Sequence, residues 1–108
     1  MTVAAGFAPI ADKHAEVLLL GSMPGIASLQ AGQYYAHPRN NFWRFMQDIY
    51  AVTADQPYPQ RCAALQAQRV AVWDVLHSCV RQGSLDTAIA ATAAQPNNFV
   101  LWLREHPL

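Results

Sequence analysis

Residues 16–25, EVLLLGSMPG, join a run of large aliphatic side chains to a turn rich in glycine and proline. Such a continuous apolar run is typical of a strand that is buried on both faces of a parallel sheet. The glycines that follow end the strand and let the backbone approach another group closely. The stretch therefore predicts a fully buried strand over 16–21 that leads into a loop at the edge of a sheet.

Beyond this strand, turn signals predict a long loop over 22–38. A helix is predicted from Asn40 to about Val52, with Asn40 or Asn41 as its N-cap. Its apolar spacing predicts one buried stripe, formed by Phe42, Phe45, Met46 and Ile49.

The second half of the chain repeats the alternation. Residues 70–76, VAVWDVL, predict a second buried strand with an acidic residue near its end. Helical segments are predicted on either side of it, at 60–68 and after Asn97 or Asn98, and 81–93 is predicted as a turn followed by a weak helix or loop. The order of strand, loop and helix, given twice, predicts an α/β fold with a parallel sheet.

A parallel sheet is buried on both faces, which two strands alone cannot achieve. We therefore expect residues 1–108 to form a single domain that is incomplete and that is completed by a further strand. An isolated chain of this kind is expected to expose an apolar sheet edge or face, and to show low solubility, self-association or dependence on a missing segment.

Composition limits the class of protein. The 108 residues are 53% hydrophobic and 13% charged, which predicts one domain with a large core. No apolar run reaches the length of a membrane span, and the N-terminus does not read as a signal peptide. The two cysteines, Cys62 and Cys79, and the four histidines lack metal-binding spacing, so reduced thiols in a cytoplasmic protein without a metal are expected.

Charge is distributed unevenly although the formal net charge is zero. No Asp or Glu occurs between Glu16 and Asp48, whereas Arg39 and Arg44 lie in this interval. The segment is therefore locally positive, which suits an anionic ligand and equally suits an ordinary surface loop.

Chemically rich segments follow both predicted strands, and the carboxyl ends of parallel strands form the usual ligand site of an open α/β sheet. The segments carry no phosphate loop, dinucleotide fingerprint or serine nucleophile elbow. What remains is a site of aromatic and amide groups. In this site Tyr34 or Tyr35 would stack on a planar base, and Asn40 or Asn41 would orient a water or a base edge. Asp74 would accept a hydrogen bond from a base N–H, and His37 would contact a phosphate or leaving group.

Each candidate has a structural alternative. The tyrosines are equally suited to covering the core, and one of the two asparagines is expected to cap the helix. Asp74 is equally suited to holding the backbone amides of its own loop, while Phe42 and Trp43 are expected in the core.

Four motifs occur together in this chain: GSMPG at 21–25, YYAHPRNNFW at 34–43, WDVL at 73–76 and GSLD at 83–86. In this combination the sequence resembles the uracil-DNA glycosylase superfamily over about residues 16–106. It is most similar to the hypoxanthine-DNA (deoxyinosine) glycosylase branch, with the mismatch-specific uracil-DNA glycosylases as relatives. The resemblance implies a three-layer α/β/α fold with a parallel sheet.

The resemblance also implies roles for individual residues. Residues 21–25 correspond to the water-activating loop, where Met23 replaces the asparagine of the mismatch-specific enzymes and cannot orient water. The catalytic asparagine of the hypoxanthine branch corresponds to Asn40. Tyr35 and Asp74 correspond to the residues that stack on the flipped base and read its edge, Asp74 acting as a carboxylate that only accepts hydrogen bonds. Further expected contacts are Ser22, Met23 and Gly25 with the base, and His37 and Arg39 with DNA.

The function implied is that of a monofunctional DNA glycosylase in base excision repair. It would hydrolyse the N-glycosidic bond of a flipped hypoxanthine or uracil in double-stranded DNA, with no cofactor. Family members carry a further strand and a C-terminal Ser-Pro-rich loop for which this sequence has no counterpart, so the chain is expected to be truncated. The alternatives are an inactive fragment and a non-catalytic domain that binds nucleic acid or a nucleotide.

Overall fold

The computed structural model describes residues 2–81, 84, 86, 89 and 94–106. These residues form two groups of strands and four helices. In chain order the elements are β1 (Thr2–Ala5), β2 (Val17–Gly21), α1 (Ile26–Ala31), α2 (Phe42–Tyr50), α3 (Tyr58–Ala67), β3 (Val70–Asp74), β4 (Leu76–Arg81), β5 (Gln95–Pro96) and α4 (Phe99–Glu105). The predicted turn and weak helix or loop over 81–93 lies mostly outside the described residues.

The two strands predicted from the apolar runs pair in parallel. The register places Val17 opposite Val70 and Gly21 opposite Asp74, so β2 and β3 end side by side. This pairing confirms both the α/β class and the expectation that the carboxyl ends of the two strands meet. The side chains and loops that follow the two strands are thereby brought to one edge of the sheet.

Antiparallel strands extend this arrangement and were not predicted. β1 pairs with β4, and β4 pairs with the two-residue β5. Ile10 exchanges both backbone hydrogen bonds with Val72 at 2.9 Å, so β3 has a partner on each side. β1 and β5 are short, and β1 and β4 pair although they lie far apart in sequence, so local hydrophobic patterns do not reveal this pairing.

The expectation that β2 is fully buried was wrong. Val17 and Leu20 are exposed, Leu20 to 53%, whereas β3 is buried along most of its length. β2 pairs only with β3 within the described residues, so fewer neighbours cover its side chains.

The predicted loop over 22–38 was wrong in part, because it contains the helix α1. This helix begins after Gly25 and ends at Gly32, whose φ of 65° is the left-handed conformation that favours glycine at a helix end. The short helix turns the chain back toward the sheet, so that Tyr34 and Tyr35 come to lie close to the strand ends.

The buried face of α2 also differs from the prediction. Trp43 and Met46 are buried, whereas Phe45 and Ile49 are 56% and 67% exposed. The Trp43 indole Nε1 donates to the backbone oxygen of Tyr34 at 3.0 Å, which fixes the rotation of the helix about its axis. A single side-chain hydrogen bond of this kind is not visible in the spacing of apolar residues.

The main core lies between β3 and the helices, and the second half of the chain follows the prediction more closely. Leu65 of α3 is fully buried with Val70 and Val72 of β3. The helix α4 begins at the predicted cap, since the Asn98 Oδ1 accepts from the backbone N–H of Leu101 at 3.1 Å.

Candidate base-binding site

A cavity of about 570 Å³ lies at the carboxyl ends of β2 and β3. Both chemically rich segments contribute to its wall, as the sequence predicted. It is lined by Leu20 to Ser28 from the first segment, by Tyr34, Tyr35, His37 and Asn40 after α1, and by Asp74, Val75, Ser84 and Asp86 from the second segment.

Asp74 is the most buried charged group of the cavity. Its side chain is 4% exposed, and its Oδ2 has no hydrogen-bond partner among the described residues. The pKa of this carboxyl is raised from its ordinary 3.8 to about 6, mainly because it is buried and also because Asp86 is a nearby negative charge, while Arg81 opposes the shift. About half of Asp74 is therefore a carboxylic acid at pH 6, and about a tenth is at pH 7. The acid form donates one hydrogen bond and accepts others.

The acid form adds a hydrogen-bond donor to the role expected from the sequence, in which Asp74 was a carboxylate that only accepts. An orphaned, buried Oδ2 also does not favour the alternative role, that of holding the amides of its own loop. The group faces a cavity with unused hydrogen-bonding capacity, which is the arrangement of a ligand-binding residue.

Gly21 lies beside Asp74 and is required there. A Cβ at this position would overlap the Asp74 Oδ1 and would lie 2.7 Å from the Tyr35 hydroxyl oxygen. Any larger residue would force the ends of these two side chains to shift. The missing side chain at the end of β2 is therefore what brings a carboxyl and a phenol to the same place.

Tyr35 forms part of the cavity wall in a strained conformation. Its φ is 56°, in the left-handed region that non-glycine residues seldom adopt. Its ring stacks on Phe42 with centroids 4.0 Å apart and an interplanar angle of 16°. One face of the ring is thus occupied, and a base would stack on the opposite face.

Tyr34 belongs to the core, so it is the weaker of the two stacking candidates. It is buried, and its hydroxyl donates to the backbone oxygen of Ala8 at 3.0 Å. The edge of the ring packs against Phe7. The structural alternative proposed for the tyrosines therefore describes Tyr34, and Tyr35 remains the candidate for stacking.

Asn40 lies at the cavity and at the start of α2. Its side chain lines the cavity, and its Oδ1 accepts from the backbone N–H of Phe42 at 2.8 Å at the start of α2. Asn41 occupies the N-cap position, but its side chain makes no capping hydrogen bond.

The two predicted DNA contacts differ in position. His37 lines the cavity, and its Nδ1 accepts from the backbone N–H of Arg39 at 3.1 Å. Arg39 is exposed and does not line the cavity. His37 therefore lies at the cavity, and Arg39 lies on the adjacent surface.

Of the predicted base contacts in the first loop, two are engaged with other parts of the protein. The Ser22 hydroxyl donates to the Asp86 Oδ2 at 2.7 Å. Met23 is buried and packs in a second core cluster with Ala4 and Cys79. Gly25 has no side chain and approaches Ser84 closely, since a Cβ there would lie 3.1 Å from the Ser84 Oγ.

Sequence reasoning missed Arg81, Ser84 and Asp86 as site residues. Arg81 is 2% exposed, and its Nη2 donates to the backbone oxygen of Pro24. For Ser84 and Asp86 the available signal was the GSLD motif at 83–86, which supported the family resemblance but to which no role was assigned; Arg81 lies outside that motif.

Comparison with known proteins identifies the family of the chain. The profile of the Uracil DNA glycosylase superfamily matches residues 8–106. The chain belongs to this superfamily. The family resemblance inferred from the four motifs is thereby confirmed, together with the α/β fold of a uracil-DNA glycosylase.

Two curated relatives and one solved structure are similar to the chain. Proteins named hypoxanthine DNA glycosylase from Methanosarcina barkeri and Methanosarcina acetivorans are 40% and 36% identical to it over 85 residues. Each match covers 78% of this chain and 54% of the relative, so the chain spans about half the length of the curated relatives it matches.

The solved structure is a solution NMR structure of a candidate uracil DNA glycosylase from Methanosarcina acetivorans. It superposes with a TM-score of 0.86 at 31% identity, over 98% of this chain and 65% of that one.

Within the described part of the chain, no three His, Cys, Asp or Glu side chains group as metal ligands. In the same residues, no helix is long and apolar enough to cross a membrane.

The raised pKa of Asp74 predicts a pH-dependent stability. Because folding favours the acid form, its stabilising contribution is complete below pH 3.8 and is lost as the pH rises through about 6. Between about pH 4 and pH 7 the wild type should lose up to about 3 kcal/mol of unfolding free energy relative to Asp74→Asn. Urea unfolding at the two pH values measures this difference in unfolding free energy.

The control is Asp48→Asn, which removes an exposed carboxylate on α2 and should behave as the wild type. Equal pH dependence in Asp74→Asn and the wild type would contradict the assignment.

Proposed function

We propose that this chain carries the base pocket and catalytic residues of a DNA glycosylase that removes hypoxanthine or uracil in base excision repair. The observation that carries the proposal is the nearly buried Asp74 carboxyl, with its pKa of about 6 and its orphaned oxygen facing the cavity. Membership of the superfamily and the names of the two relatives support it.

The acid form of Asp74 matches the edge of a deaminated base. A carboxylic acid offers a donor beside an acceptor. Hypoxanthine presents a carbonyl oxygen beside its N1–H, and uracil presents one beside its N3–H. Each edge therefore accepts one hydrogen bond from the acid O–H and donates one to the acid carbonyl oxygen. The ionised form bonds the N–H alone and places its second oxygen against the carbonyl, which is repulsive.

Tyr35 provides the stacking surface in this proposal. Its inner face lies on Phe42, so the ring is held before a base enters, and the outer face is the one offered to a ligand. Stacking on an aromatic side chain contributes roughly 1–3 kcal/mol per base and depends little on the identity of the base. Tyr35 thus supplies affinity, and Asp74 supplies recognition of the edge.

Asn40 is the proposed catalytic residue. Its Oδ1 is already held by the Phe42 N–H, so the amide has a fixed position at the cavity wall. A fixed amide orients water without titrating, and positioning of this kind accelerates a reaction strongly. The water oxygen bonds to C1′ of the sugar as the C1′–N bond breaks. The bonding electrons leave with the base, which takes up a proton, while the water loses one.

The proposed partner is double-stranded DNA that contains a deaminated base, because the enzyme must flip the nucleotide out before cleavage. His37 and Arg39 would contact the backbone from the acid-free segment. We place the protein in the cytoplasm and treat residues 1–108 as one domain. The exposed side chains of β2 support self-association of the isolated chain.

Asn40→Ala tests the catalytic assignment. We expect single-turnover release of hypoxanthine to fall roughly 10²–10³-fold, because one positioned polar group is lost. Stability should fall by about 1 kcal/mol, because the cap of α2 is lost as well. The matched control is Asn41→Ala, whose side chain makes no capping hydrogen bond; both quantities should stay close to wild type. If Asn40→Ala loses stability but keeps its rate, the residue is only a cap.

The pH dependence of base release tests the role of Asp74. Wild-type release of hypoxanthine and uracil should decline as the pH rises through about 6. Asp74→Asn keeps a donor beside an acceptor at every pH and should remove that decline. Tyr35→Ala should keep the decline and lower release of both bases by similar factors. Single-turnover release from matched duplexes is measured for all three proteins.

If the wild type and Asp74→Asn show the same pH profile, Asp74 does not read the base. A wild-type chain that binds free base without releasing any from DNA would favour the non-catalytic alternative.

A further inference from the structure

Three contacts hold the loop at residues 22–26 against a distant part of the chain. The Ser22 hydroxyl donates to Asp86 at 2.7 Å, and the backbone N–H of Ile26 donates to the Ser84 Oγ at 2.7 Å. Between them, Arg81 donates to the backbone oxygen of Pro24. The loop is therefore bonded at both ends and in the middle by residues that follow β3 in the chain.

The Ser84 contact replaces a missing helix cap. Gly25 occupies the N-cap position of α1 and has no side chain with which to accept a hydrogen bond. The Ser84 Oγ supplies that acceptor from 58 residues away in sequence. The approach depends on the glycine, because a Cβ at Gly25 would lie 3.1 Å from the Ser84 Oγ and 3.3 Å from its Cβ.

The Arg81 contact is made by a buried cation. At 2% exposure the guanidinium has lost its hydration, and among the described residues its Nε and Nη1 have no partner. Burial of a charge with so few partners is costly. The hydrogen bond to the Pro24 oxygen therefore holds the loop at a fixed distance from β4.

We infer that Arg81, Ser84 and Asp86 are positioning residues, and that they hold the 22–26 loop in the shape that forms one wall of the base cavity. They act through the loop and not on the base itself. The inference rests on the proposed function for its effect on catalysis, whereas its structural part stands on the three contacts alone. The charges of Asp86 and Arg81, which act in opposite directions on the pKa of Asp74, fit a cluster built around this cavity.

Amide hydrogen exchange at Ile26 tests the structural part. In Ser84→Ala the Ile26 N–H loses its acceptor and should exchange about fivefold faster or more. Ser84→Thr keeps the hydroxyl and should restore slow exchange. Asn98→Ala removes a comparable cap at α4, outside the cavity, and should leave Ile26 unchanged. Unchanged exchange at Ile26 in Ser84→Ala would overturn the inference.

Single-turnover release of hypoxanthine in the same proteins tests the effect on catalysis. Release should be at least about fivefold slower in Ser84→Ala, restored in Ser84→Thr, and unaffected in Asn98→Ala. Equal slowing in Ser84→Ala and Asn98→Ala would mean that Ser84 acts only through overall stability, which overturns the positioning role. If the wild type releases no base, the proposed function fails, and the exchange rates at Ile26 still decide whether Ser84 holds the loop.

Discussion

The cavity depends on the placement of Gly21 beside Asp74 at the carboxyl end of the parallel strand pair. The register of β2 and β3 sets the two residues opposite each other, and the missing side chain of Gly21 leaves room for the Asp74 carboxyl and the Tyr35 hydroxyl. A one-residue shift of β2 would point its side chains to the other face and would place a leucine or a serine beside Asp74. The register of the strand pair therefore determines which chemical groups meet at the site.

The environment of Asp74 follows from this placement. Close packing removes water from the carboxyl, and the nearby Asp86 adds a second negative charge, so the acid form is favoured. Burying this group costs folding free energy, which is offset by the rest of the fold, because β3 is paired on both sides and packs against the main core. A functional group held at the expense of stability is common in binding sites. The contacts to the 22–26 loop hold another part of the cavity wall.

The sequence allowed the central part of this arrangement to be predicted. Two continuous apolar runs predicted β2 and β3, and turn residues after them predicted a site at the strand ends that contains Asp74, Tyr35 and Asn40. Other features depend on contacts between distant residues. The rotation of α2 is set by the Trp43 hydrogen bond to Tyr34, and the capping of α1 is set by Ser84, 58 residues away from Ile26. The protonation of Asp74 depends on burial, which local patterns do not report.

An NMR titration of the Asp74 side-chain carboxyl carbon tests the central claim most directly. In the free wild-type chain, the account predicts a pKa of about 6 instead of the ordinary 3.8. Addition of free hypoxanthine should raise the pKa further, because a ligand that prefers the acid form stabilises it. Leu65→Val, a change in the core outside the cavity, serves as the control and should titrate as the wild type. A free pKa near 3.8, or a decrease when hypoxanthine binds, would contradict the account.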